Sequence, residues 1–97
     1  MVVGVVCCSL HLPYSGSLKS KRRIVRSLVE RLHTRYRVSI AETGEQDLLQ
    51  RAEIGIAAVG RDERELRRLM DDLRRVIDEE EEAVLLSWEP DFLEGDG

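Results

Sequence analysis

Between residues 15 and 26 the chain reads SGSLKSKRRIVR, so that Lys19, Lys21, Arg22, Arg23 and Arg26 crowd one short stretch. Clustered ammonium and guanidinium groups hold phosphates and other anions through charge-assisted hydrogen bonds. Lys19, Lys21, Arg22 and Arg23 also stand at the start of an expected helix, where the backbone already carries partial positive charge. Each exposed cation in a first turn costs about 0.3–1 kcal/mol. Something anionic must compensate them, inside the protein or outside it. The opposite anomaly occurs at Asp78-Glu79-Glu80-Glu81-Glu82, an acidic run at the expected end of a second helix.

Other groups capable of chemistry are sparse. His11 and His33 have no evident nucleophile beside them, and the adjacent Cys7 and Cys8 point to opposite faces of any strand that holds them. Neighbouring cysteines in a strand cannot close an unstrained disulfide, so both read as free thiols. GSLKS lacks the G-x-x-x-x-G-K-[ST] spacing of a phosphate-binding loop. The polar run GEQDLLQR offers Gln46, Asp47, Gln50 and Arg51, which can read base edges or phosphates but more commonly close turns.

The elements that position these residues follow from periodicity. Val2, Val6, Cys8, Leu10 and Leu12 alternate with Val3, Val5, Cys7, Ser9 and His11, a first strand that Pro13 breaks. Ser17 is a suitable N-cap for a helix whose apolar stripe is Leu18, Val25, Leu28, Val29, Leu32 and Tyr36, running to about Arg35. Val38 and Ile40 begin a second strand, ETGEQDLLQ forms a polar connection, and Ile54, Ile56 and Ala58 mark a third strand. Asp62 with Glu65 resembles a capping box before a second helix striped with Leu66, Leu69, Met70, Leu73, Val76 and Ile77. Val84, Leu86 and Trp88 alternate with Leu85 and Ser87 in a fourth strand, which Pro90 is expected to end.

At 97 residues the chain supports one domain, 1–97, with residues 90–97 as an acidic tail. The order βαββαβ, closed by right-handed crossovers, gives an α+β ferredoxin-like plait: a four-stranded antiparallel sheet of order 4-1-3-2 with two helices on one face. That topology brings residues 11–23, 42–51 and 78–82 to the same end. No apolar run approaches the roughly 20 residues of a membrane span, and MVVGVVCCSLHL lacks the basic start and cleavage site of a signal peptide. The expected location is the cytoplasm. The net charge of −4 conceals an asymmetry, with eight basic residues against one acid in residues 1–40 and seven against eighteen in residues 41–97.

HLPYSGSLKSKR followed by AETGEQDLLQRAEIGIA resembles the YlxP-like family of small bacterial proteins of unknown function. The similarity rests on an L-H-x-P strand end, an S-L-K-x-K-R helix start and a Q-D-x-x-Q-R-A-x-x-G hairpin, and it covers most of the chain. Tyr14 stands where that pattern has a small residue. The resemblance implies a ferredoxin-like fold without a settled activity, and a genetic setting near translation and ribosome-maturation genes that favours an RNA or ribosomal partner.

Arg22, Arg26, Lys19 and Arg23 fall on one flank of the helix at about 100° per residue, with Lys21 turned toward the core edge and expected to snorkel. The expected anion or nucleic-acid contacts are therefore Lys19, Lys21, Arg22, Arg23, Arg26, Gln46, Gln50 and Arg51. The plainer alternative is a solvated basic face that Asp78 to Glu82 neutralise. On the open sheet face, Val3, Val5, Cys7, Ala57, Val59 and Leu85 make an apolar, aromatic-poor patch, expected to pack against another copy as a homodimer rather than stack bases. No C-x-x-C pair for metal transfer and no Asn for an acylphosphatase-like site is present. The sequence thus points to a noncatalytic factor with no cofactor or metal, binding RNA or a ribonucleoprotein through its basic edge. The alternative is a homo-oligomeric interaction or small-ligand module.

Overall fold

Ser17 and Asp62 open the two helices. The structure, a computed structural model, describes residues 1–95. Its order is β1 (Val2–His11), α1 (Leu18–Tyr36), β2 (Ser39–Gly44), β3 (Arg51–Gly60), α2 (Glu63–Asp78) and β4 (Val84–Glu94). Ser17 Oγ accepts from the Ser20 amide at 3.0 Å, and Asp62 Oδ1 accepts from the Glu65 amide at 2.8 Å. Glu65 in turn accepts from the Arg61 amide at 3.2 Å. These caps satisfy donors that have no partner within their own helix. Arg37 ends α1 in the left-handed region at φ 54°, its amide donating to the His33 carbonyl.

The strands pair antiparallel in the order β2-β3-β1-β4, which is 4-1-3-2 read from the other edge. Val6, Cys8 and Leu10 of β1 and Ala52, Ile54 and Ile56 of β3 share one core with Ile24, Leu28 and Leu32 of α1 and Met70, Leu73 and Ile77 of α2. The fold is the ferredoxin-like plait that the alternation and capping signals imply.

Two features of the sheet differ from the sequence pattern. β2 and β3 form a longer hairpin, its connection shortened to residues 45–50, while Val38 lies buried just before β2. β4 does not stop at Pro90 but continues to Glu94, so most of the expected tail is strand; residues 96 and 97 lie outside the described residues. Pro90 is tolerated because β4 is an edge strand, where a missing N–H on the outer side breaks no ladder bond.

Lys21 fixes how α1 meets the hairpin. Its side chain is not at the core edge but enclosed, the residue being 1% exposed. Nζ lies 3.0 Å from Glu42 Oε2 and donates to the Glu45 carbonyl. A charge this enclosed needs both partners, and removing one from a buried pair costs about 3–5 kcal/mol, whereas an apolar pair of similar size is often neutral. We expect Glu42→Ala and Lys21→Ala each to lose about 3 kcal/mol in urea unfolding, and Lys21→Met with Glu42→Leu to lose far less than their sum. Simple additivity would show that the two residues are not coupled.

Candidate nucleic-acid interface

Three connections meet at one end of the plait and are tied by hydrogen bonds. The Leu12 amide donates to the Gln50 carbonyl at 2.9 Å, and His11 Nδ1 lies 3.1 Å from the same oxygen as its donor. Gln50 Nε2 donates to the Pro13 carbonyl at 3.4 Å. On the other side, Arg23 Nη2 and Nη1 reach Glu82 Oε1 and Oε2 at 3.3 and 3.5 Å, and Arg31 pairs with Glu80. Burial pushes the Glu80 carboxyl up, but the Arg31 hydrogen bond, the Glu82 amide, the Arg31 charge and the Glu81 amide outweigh it and hold the group below its ordinary value.

The basic cluster therefore divides. Lys21 belongs to the buried pair with Glu42 and is removed from any external contact. Arg23 is exposed but shares its guanidinium with Glu82. Lys19, Arg22 and Arg26 are exposed and, among the described residues, have no carboxylate within ion-pair distance. With Ser17, Ser20 and Ser27 they line a groove of about 940 Å³ along the outer side of α1. Helical spacing turns Arg22 and Arg26 away from the flank where Arg31 meets Glu80, toward the β2 side.

The hairpin residues are placed unevenly. Gln46 is exposed, while the amide and carbonyl of Gln50 are used to close the β1–α1 turn. Arg51 is exposed but stands opposite His11 on the open face of the sheet, because its neighbour Ala52 is buried on the helix side. The sheet separates it from the α1 cations. The sequence pattern gives no role to Glu42, the partner of Lys21, and marks Tyr14 only as a departure from the family pattern, whereas the structure projects Tyr14 from the β1–α1 turn. The signal for Tyr14 was an aromatic residue directly after the strand-ending proline.

Val3, Val5, Cys7, Ala57 and Val59 do share the open face, since the residues alternating with them in β1 and β3 line the core. Leu85 does not. A register shift in the β1–β4 ladder pairs Leu85 with Leu10 and Ser87 with Ser9, so Leu86 is the extra residue and Leu85 packs against the core. Val84 and Leu93 are exposed on the open face instead. Cys7 Sγ donates to Glu53 Oε1 at 3.0 Å. That bond, with burial and the charges of Glu53 and Glu89, pushes the Cys7 thiol up to about 11, and burial chiefly pushes Cys8 up to about 12. Neither supplies thiolate near neutrality. Alkylation of Cys7 at pH 8 should run roughly a hundredfold slower than for a free thiol and accelerate in Glu53→Gln. Equal rates in the two proteins would contradict control by Glu53.

Among the described residues no helix is long and apolar enough to cross a membrane. The sequence model of a family described as "Protein of unknown function (DUF503)" matches residues 3–90, from β1 into β4. "Uncharacterized protein YlxP" of Bacillus subtilis (strain 168) is 37% identical over 73 residues, covering 71% of this chain and 79% of that protein.

Proposed function

This chain belongs to the DUF503 family of proteins of unknown function, and we propose that it is a noncatalytic factor that binds RNA or a ribonucleoprotein through the outer face of α1. The observation that carries this reading is the uncompensated set Lys19, Arg22 and Arg26, exposed along the first three turns of α1. Lys19 stands in the first turn against the helix dipole, and Arg22 and Arg26 extend the basic stripe over the next two turns, so an external anion is met by all three. A chain of net charge −4 binds polyanions through such a local stripe, and contacts of this kind weaken as salt rises. Glu82 competes with phosphate for Arg23 and so tempers the affinity.

Arg22→Glu with Arg26→Glu should weaken binding of the full chain to RNA in anisotropy titrations. It should also flatten the dependence of log K on log salt by about 1.4, the value for two lost single-strand phosphate contacts. Glu82→Gln, which frees Arg23, should strengthen binding. Unchanged affinity in the double charge reversal would remove α1 from the interface.

A second reading concerns the open sheet face, where Val59 and Leu93 stand 68% and 62% exposed on either side of Val3. Packing two copies through Val3, Val5, Cys7, Ala57 and Val59 would cover them, and it would leave α1 free for RNA. On this reading light scattering gives a dimer mass for the native chain and a monomer mass for Val59→Asp with Leu93→Asp. A monomeric native chain rejects it.

A further inference from the structure

Tyr14 is 76% exposed, yet the turn that carries it is tied down on both sides. The Ser15 amide donates to the Leu12 carbonyl at 3.2 Å, the Ser15 hydroxyl donates to the Ser17 carbonyl at 3.4 Å, and Ser15 itself is buried. Pro13 has a fixed φ, and its carbonyl accepts from the Gln50 side chain. An aromatic residue stabilises a fold by burying its ring. This ring buries little, so packing does not account for it. Its turn leads directly into the Ser17 cap of α1, and thus into the cations of the outer face.

We propose that this end of the molecule takes single-stranded RNA, one unpaired base stacking on Tyr14 while the adjoining phosphates run along Lys19, Arg22 and Arg26. This rests on the RNA reading above and names the kind of RNA. Base stacking on an aromatic side chain is tolerant of sequence and works together with a basic track for the backbone. Lys19 and Arg26 are seven residues apart, about 10 Å along the helix axis, which spans about three nucleotides at a stacked rise of roughly 3.4 Å. Leu48 and Leu49, exposed on the neighbouring hairpin, add apolar surface at the same end. A duplex offers phosphates to the basic track, but its internal base faces are already stacked on one another and closed to Tyr14, whereas a single strand offers both.

The test compares the full chain with Tyr14→Ala and Tyr14→Phe, titrated against a short unstructured oligoribonucleotide and against a duplex of equal length. The native chain should prefer the single strand. Tyr14→Ala should lose about fivefold or more of that affinity, as expected for one stacked base, with the salt slope unchanged, and Tyr14→Phe should retain it. If the native chain binds RNA, and Tyr14→Ala binds equally well while the Arg22 and Arg26 reversal still weakens binding, stacking is overturned and the electrostatic reading stands. Preference for the duplex overturns the single-strand assignment. No RNA binding by the native chain overturns both.

Discussion

Lys21 carries a full positive charge into a place that water barely reaches, and its two partners must be delivered by a different part of the chain. Both come from the β2–β3 hairpin: the Glu42 carboxylate from β2 and the carbonyl of Glu45 from the connection that follows. Glu45 is left-handed at φ 58°, a conformation unfavourable for a residue other than glycine. Its carbonyl accepts from both Lys21 and the Leu48 amide. The first turn of α1 thereby sets the position of the hairpin. The hairpin then presents Gln50, whose amide and carbonyl hold the β1–α1 turn, and so the placement of Tyr14 and of the Ser17 cap also depends on that enclosed ammonium.

The charges at the helix ends separate what the fold requires from what it leaves over. α2 begins with Asp62, Glu63 and Glu65, the polarity that a helix dipole favours at a start, and ends on Asp78 and Glu79, which run against it despite Arg75 in the last turn. α1 has no acid in its first turn. The same chain thus builds a helix start of favourable sign in one place and of unfavourable sign in another. Part of the mismatch is corrected internally, through Lys21 with Glu42 and Arg23 with Glu82. Exposed pairs such as Arg23 with Glu82 are worth little, at most about 1 kcal/mol. They are weak enough to exchange for a phosphate.

The framework was legible because it rests on local signals. Alternation in Val2–His11, the Ser17 and Asp62 caps, and the apolar stripes of both helices each specify their own element. The misread positions depend on relations between elements. Leu85 was assigned by counting alternate residues, and a single extra residue at Leu86 reverses that count. Pro90 breaks a paired strand but not the outer side of an edge strand, and nothing local announces that β4 is an edge. Sequence order puts Arg51 at the correct end but does not give its side of the sheet, which follows from the burial of Ala52. Lys21 has the same chemistry as its neighbours in the motif; only the arrival of Glu42 from β2 makes it internal.

The distribution of compensated charge limits where a polyanion can approach. The open sheet face carries Glu53, Glu89 and Asp91 opposite Ser9, Cys7 and Val5, so a phosphate backbone laid across it meets repulsion. On α2, Arg67 pairs with Glu63, Arg74 with Asp78 and Arg75 with Asp72, while Arg64 and Arg68 are exposed without an ion pair among the described residues. Along α1, Lys19, Arg22 and Arg26 stand unpaired among the described residues, and of the acids among those residues Glu30 lines their groove. In a net acidic protein this stretch of α1 concentrates positive charge. That charge begins at the capped end of α1, where the tethered turn holds Tyr14 in solvent.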